Sequence, residues 1–86
     1  MRQQPAFFGD RELNLIYIAK RLRDALRLEE ALTEAGIDYA VETDTYRGGI
    51  IFVTERVGAF FYVDDGDLGA AQDAMRRSGF KPWRPG

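Results

Sequence analysis

Residues 50–63 decide the fold: Ile50-Ile51-Phe52-Val53, then Thr54-Glu55-Arg56-Val57-Gly58, then Ala59-Phe60-Phe61-Tyr62-Val63. Neither apolar run alternates with polar residues, so each predicts a strand that is apolar on both faces. The polar segment between them reads as a hairpin connection, which makes the two runs a central hairpin.

Upstream, Asp44-Thr45-Tyr46-Arg47-Gly48-Gly49 has the composition of a turn, and its glycine pair supplies backbone freedom. Residues 37–43 alternate properly, with Ile37, Tyr39, Val41 and Thr43 set against Asp38, Ala40 and Glu42. That pattern predicts a strand with one wet face or a place at a sheet edge. Before it, Leu22, Ala25, Leu28, Leu32 and Ala35 recur at helical spacing, opposite Arg23, Arg27, Glu30 and Glu34. This predicts a helix over 22–35, closed by Gly36 at a position that favours φ > 0. Leu26 widens its apolar stripe and leaves a flank for a neighbour. Residues 13–19 form a first strand, with Leu13, Leu15 and Tyr17 on one side and Ile16 and Ile18 on the other. It is therefore apolar on both faces and central.

Downstream, Asp64-Asp65-Gly66-Asp67 opens a second helix over 68–78, with Leu68, Ala71, Ala74 and Met75 inward and Gly79 as its stop. Phe80-Lys81-Pro82-Trp83 reads as a short edge segment. Residues 1–11 read as a flexible arm whose Phe7 and Phe8 are its only large apolar residues after Met1, residues 12–83 as a single domain, and 84–86 as a frayed tail. The order is strand, helix, strand, strand, strand, helix. That is an α+β layer, a mostly antiparallel sheet with two helices on one face, and a ferredoxin-like two-layer sandwich is the nearest common architecture.

The 86 residues suit one domain with a modest core. A net charge of −2 and a pI of about 5.0 give no electrostatic footprint for nucleic acid or an anionic membrane. There is no cysteine, hence no disulfide framework, and no histidine, which removes the commonest general base and metal ligand together. No stretch approaches the ~20 apolar residues of a membrane span. The start lacks the apolar core of a secretory signal, which predicts a cytoplasmic protein.

Two segments carry a family resemblance. Asp24-Ala25 followed by Ala31-Leu32-Thr33-Glu34-Ala35-Gly36-Ile37 resembles the helix-to-strand signature of a small family of prokaryotic signal-transducing proteins. Val63-Asp64-Asp65-Gly66-Asp67-Leu68-Gly69-Ala70-Ala71 is similar to that family's second signature, a strand-ending Val before an acidic helix start. The resemblance covers about residues 13–78. Arg21-Leu22-Arg23 stand where the family usually has a proline before the first helix. It implies a bacterial protein with a broad regulatory role; the family has no agreed activity, so no catalytic residue carries over.

Candidate chemistry is sparse. Asp64, Asp65 and Asp67 fall short of a calcium loop, which needs ligands at alternate positions over twelve residues. A helix cap is the simpler reading, and no metal is expected. Arg47, Gly48 and Gly49 could present a guanidinium and amides to an anion or nucleotide, although the spacing matches no phosphate loop and a plain turn explains them. The run from Arg47 to Val53 brushes against an RNA-recognition strand but lacks its spaced aromatics. Glu42, Asp44 and Glu55 are the carboxylates near the hairpin, and Lys20 and Lys81 the only lysines. Nothing assembles a nucleophile with a base, so neither catalysis nor a cofactor is expected.

Two helices can cover only one face of the sheet. Three or four large side chains left wet would forgo about 1.5–3 kcal/mol each, a sum that rivals the ~5–15 kcal/mol stability of a domain. The expectation is a homodimer through the sheet, using one face of Ile50, Ile51, Phe52, Val53, Phe60, Phe61 and Tyr62. Cover by the chain's own Phe7, Phe8 and Trp83 is the competing expectation, and another protein partner is a third. The sequence thus points to a non-catalytic, signal-transducing-type interaction module, with a small-ligand sensor and a weak carboxylate enzyme as alternatives.

Overall fold

A computed structural model describes the backbone of residues 1–48 and 54–81, and the side chains of 1–43 and 57–81. The elements are β1 (Leu13–Ala19), α1 (Leu22–Glu34), β2 (Tyr39–Gly48), β3 (Thr54–Asp64) and α2 (Leu68–Arg77), with 3-10 turns at Pro5–Phe8 and Asp65–Asp67. The sheet has the order β1-β3-β2, and both pairings are antiparallel. β1 and β2 therefore run parallel to each other with β3 slotted between them, and α1 carries the chain across. Among the described residues the fold is α+β, a three-stranded antiparallel sheet with two helices.

The hairpin lies elsewhere than its polar residues suggest. β2 and β3 pair without a break from Tyr39↔Val63 to Gly48↔Thr54. Residues 54–58 are thus strand and not a connection, and residues 44–48 are strand and not a turn. Charge is a poor guide here. The segments are polar, yet they carry the strand formers Thr, Tyr and Val, and Arg47 stands opposite Glu55 in the register. The fourth strand expected at Ile50, Ile51, Phe52 and Val53 lies outside the described residues.

β1 also departs from strict alternation. Its register against β3 slips between Leu15↔Tyr62 and Tyr17↔Phe61, which leaves Ile16 as the extra residue of a β-bulge. Beyond it the faces exchange. Tyr17 and Ala19 now share the face of Phe61 and Ala59, whereas Ile18 joins Leu13 and Leu15 opposite. Ile16 itself is buried in the core.

That core gathers Ile16 and Ala19 of β1, Leu28 and Leu32 of α1, Tyr39 of β2, Phe61 and Val63 of β3, and Ala71, Ala74 and Met75 of α2. Both helices contribute to this one cluster, so both lie on the same face of the sheet. The α1 stripe begins at Ala25, not at Leu22: Leu22 is 75% and Leu26 55% exposed. The helix stops are where the glycines predict them. Gly36 takes φ 72° and Gly79 φ 84°, conformations that L side chains rarely adopt. Asp64 caps the turn into α2, its Oδ1 accepting from the Gly66 amide at 3.2 Å.

Residues 1–3 of the expected arm bond to the chain around the root of β2. Arg2 forms a parallel bridge with Tyr39, the Gln3 amide donates to Tyr39 O (2.8 Å), and the Tyr39 amide donates to Met1 O (3.1 Å). The Met1 ammonium donates to Ile37 O. The chain then passes from the β2 edge to the start of β1, on the opposite side of the sheet. Phe8 is buried on the way although it stands apart from the helix-side core.

Candidate interaction surface

Three features of the sheet bear on function: its second face, its β2 edge, and the ladder beyond β1. Register assigns Leu13, Leu15 and Ile18 of β1, Phe60, Tyr62 and Asp64 of β3, and Ala40 and Glu42 of β2 to the face away from the helices. Phe61 turns the other way and is fully buried in the core. Of the strand residues expected at an interface, Phe60 and Tyr62 thus share the helix-free face; Ile50, Ile51, Phe52 and Val53 lie outside the described residues.

One end of that face has cover from the chain itself. Arg11 latches the arm there, its Nη1 donating to Asp64 Oδ2 at 2.8 Å and its Nε to Phe8 O at 3.1 Å. The same guanidinium lies 5.6 Å from the Phe7 ring and 5.4 Å from the Phe8 ring, in cation–π range of both. Phe8 and Ala40 are buried at 2% and 1% exposure, whereas Phe7 remains half exposed. Toward the other end Leu15, Ile18 and Phe60 are only half buried.

The β2 edge is occupied at a single residue among those described. Tyr39 spends its outward N–H and C=O on residues 1–3. In a strand these groups alternate in direction, so Val41, Thr43, Thr45 and Arg47 also aim their backbone groups outward. No hydrogen bond to those groups occurs among the described residues. Beyond Ala59, where β1 stops pairing, β3 keeps β2 as its single neighbour among the described residues over 54–58.

Tyr39 anchors the root of that edge. It is 2% exposed, stacks on Phe61 at 5.9 Å between centroids, and donates its hydroxyl to Glu29 Oε1 at 3.0 Å. Arg2 Nη1 stands 3.9 Å from the same carboxylate. Burial raises the phenol pKa above its ordinary 10.0; the Thr33 hydrogen bond lowers it and Glu29 raises it further. Sequence alternation marks Tyr39 as inward. Its bond to Glu29 becomes visible only once α1 is placed over β2.

Asp64 and Asp65, at the end of β3, are engaged in structural bonds. Asp64 holds both the cap and Arg11, and Asp65 Oδ1 accepts from Asn14 Nδ2 at 3.2 Å. No group of acidic residues fit for a metal occurs among the described residues. Arg47 and Gly48 are the last residues of β2, and Gly49 lies outside the described residues. Glu42, Asp44 and Glu55 stand along the ladder opposite Phe60, Gly58 and Arg47. No helix among the described residues is long and apolar enough to cross a membrane.

The arrangement offers backbone donors, backbone acceptors and apolar surface, which are the means of pairing strands. Neither a protein-family model, nor a curated protein, nor a solved structure matches this chain.

Proposed function

We propose that this chain is a non-catalytic regulatory interaction module, of the signal-transducing type that its two signatures resemble, and that it self-associates through its sheet. The observation that carries the reading is the β2 edge past Tyr39, with its outward backbone groups and a ribbon that outruns β1. An isolated two-stranded hairpin is marginal in water, and an open edge is a template for another strand. Two copies joined there would form one continuous sheet around a two-fold axis. The split arrangement, two parallel strands with an antiparallel one between and a helix crossing over, supports a ferredoxin-like sandwich as the framework.

Sedimentation of the purified chain tests this, with a dimer expected. Thr43→Pro removes an amide that points out of the sheet and spares the β2–β3 ladder, so it should yield monomer. Phe60→Glu places a charge on the helix-free face and distinguishes a face-to-face dimer from an edge-to-edge one. A chain that stays monomeric at the highest soluble concentration refutes self-association.

The sensor reading draws less support, because Arg47 and Gly48 are paired strand residues and not a free loop. A thermal-shift screen with nucleotides, repeated on Arg47→Ala, decides it. The enzyme reading has its carboxylates spread along a strand pair.

A further inference from the structure

We propose that residues 1–3 are an internal competitor for the β2 edge. Docked, they withhold Tyr39 from the ladder that a second copy builds there; released, they let that ladder lengthen. The device presupposes the edge-to-edge self-association proposed above.

The two occupants exclude each other. Arg2 bridges Tyr39 in the parallel sense, with the Gln3 amide donating to Tyr39 O at 2.8 Å and the Tyr39 amide donating to Met1 O at 3.1 Å. A second copy related by a two-fold axis presents its β2 in the antiparallel sense. Both need the same N–H and C=O of Tyr39, and residues 1–3 stand where the second strand would lie.

The geometry of β2 makes that one residue matter. Its pairing with β3 runs without a slip, so its outward backbone groups belong to residues 39, 41, 43, 45 and 47, a set symmetrical about Thr43. The longest antiparallel ladder between two such edges is centred on Thr43 and sets Tyr39 of each copy opposite Arg47 of the other. With residues 1–3 docked, the outward set shrinks to 41, 43, 45 and 47, and its centre leaves Thr43. Each copy carries its own arm, so the ladder is cut at both ends.

The arm is held lightly and tethered closely. Beyond its backbone bonds, Gln3 Nε2 donates to Asp38 Oδ1 at 3.2 Å and Arg2 Nη1 stands 3.9 Å from Glu29. The Arg2 side chain is 61% exposed, as is Met1, so the ion pair contributes little and release gives up little apolar burial. The tether is firmer. Phe8 is buried, and Arg11 Nη1 donates to Asp64 Oδ2 at 2.8 Å. A segment on so short a leash competes at an effective concentration of about millimolar, which a second copy must match.

Sedimentation of the chain beside Gln3→Pro tests the device. The substitution removes the amide that donates to Tyr39 O and the side chain that reaches Asp38, and leaves β2 intact. The dimer dissociation constant should fall several-fold, and adding Thr43→Pro should return the chain to monomer. In dilute, monomeric samples hydrogen exchange at the Tyr39 amide should rise in Gln3→Pro. Arg2→Glu sets a carboxylate against Glu29 and keeps every backbone donor, so it should move the constant the same way by a smaller factor. A dissociation constant unchanged or raised in both variants overturns the competitor and leaves self-association standing. No dimer in any of these chains overturns self-association, and the competitor with it.

Discussion

One ladder, β2 against β3, crosses two environments. From Tyr39↔Val63 to Thr43↔Ala59 it has β1 on its far side and the helix-side core against one face. From Asp44↔Gly58 to Gly48↔Thr54 the same two strands continue with no third strand among the described residues, and Val57 at its inner margin is 68% exposed. Backbone pairing is regular in both halves, so hydrogen bonding does not distinguish them. Burial does. The inner half is stabilised by apolar area removed from water, whereas Val57, a large apolar side chain at the start of the outer half, is left in contact with solvent.

The largest expected break in this comparison comes from the inner half. Phe61→Ala removes a fully buried ring and should cost about 3–5 kcal/mol by urea denaturation, enough to unfold a marginal domain. Val57→Ala in the outer half should stay within about 0.5 kcal/mol in the monomer. A cost at Val57 that grows with protein concentration would place it in the self-association surface.

Next in size is the latch at the shared end. Asp64→Ala deletes both the cap on Gly66 and the Arg11 pair, and the expected loss of about 1–2 kcal/mol comes chiefly from the cap. The Arg11 side chain is half exposed, so Arg11→Ala should cost less than about 1 kcal/mol in global stability. It should nevertheless raise hydrogen exchange at the amides of residues 7–12 selectively.

Tyr39→Phe gives a smaller and pH-coded effect. At neutral pH the lost bond to Glu29 should cost about 1 kcal/mol. The raised phenol pKa sets the sign of the pH dependence. The folded state favours the neutral form, so that contribution is intact below pH 10 and is lost as pH climbs through the folded-state value. Urea midpoints taken from neutral pH to about pH 11 should therefore fall further for the unsubstituted protein than for Tyr39→Phe. Equal declines would mean that the phenol is as exposed as in the unfolded chain.

The smallest effect belongs to α1. Leu22→Gln should change stability by no more than about 0.5 kcal/mol, because that side chain is three-quarters exposed.

These contrasts reflect what local chemistry encodes. Gly36 and Gly79 end their helices because both stops need φ > 0, and Asp64 caps because a carboxylate there meets a free amide; such signals are short-range and readable in sequence. The slip at Ile16 is not. Leu13-Asn14-Leu15-Ile16-Tyr17-Ile18-Ala19 is apolar in both phases, so no polar residue marks where the faces exchange. The hairpin is equally hidden, because Thr54, Glu55 and Arg56 look like a connection until their partners in β2 are known. Residues 1–11 look loose because nothing periodic marks them. The burial of Phe8 and the hold of Arg11 on Asp64 arise from contacts with residues far along the chain. Of the candidate surface, the apolar character of Phe60 and Tyr62 is legible in sequence, but the place of β2 at a sheet edge depends on strand order, which composition does not determine.

The strand order also has a consequence for how the molecule is built in time. β2 and β3 are neighbours in sequence, so their hairpin closes a short loop and can form within microseconds. β1 reaches the same β3 only across a loop that contains all of α1 and β2, and residues 1–3 can bridge Tyr39 only once β2 exists. The β2–β3 ladder is thus among the earliest parts able to assemble. A hairpin that precedes the rest of its sheet is vulnerable on the ribosome, where neighbouring chains are close. Mutations that sharpen the ribbon should then speed folding with little gain in the finished domain's lifetime.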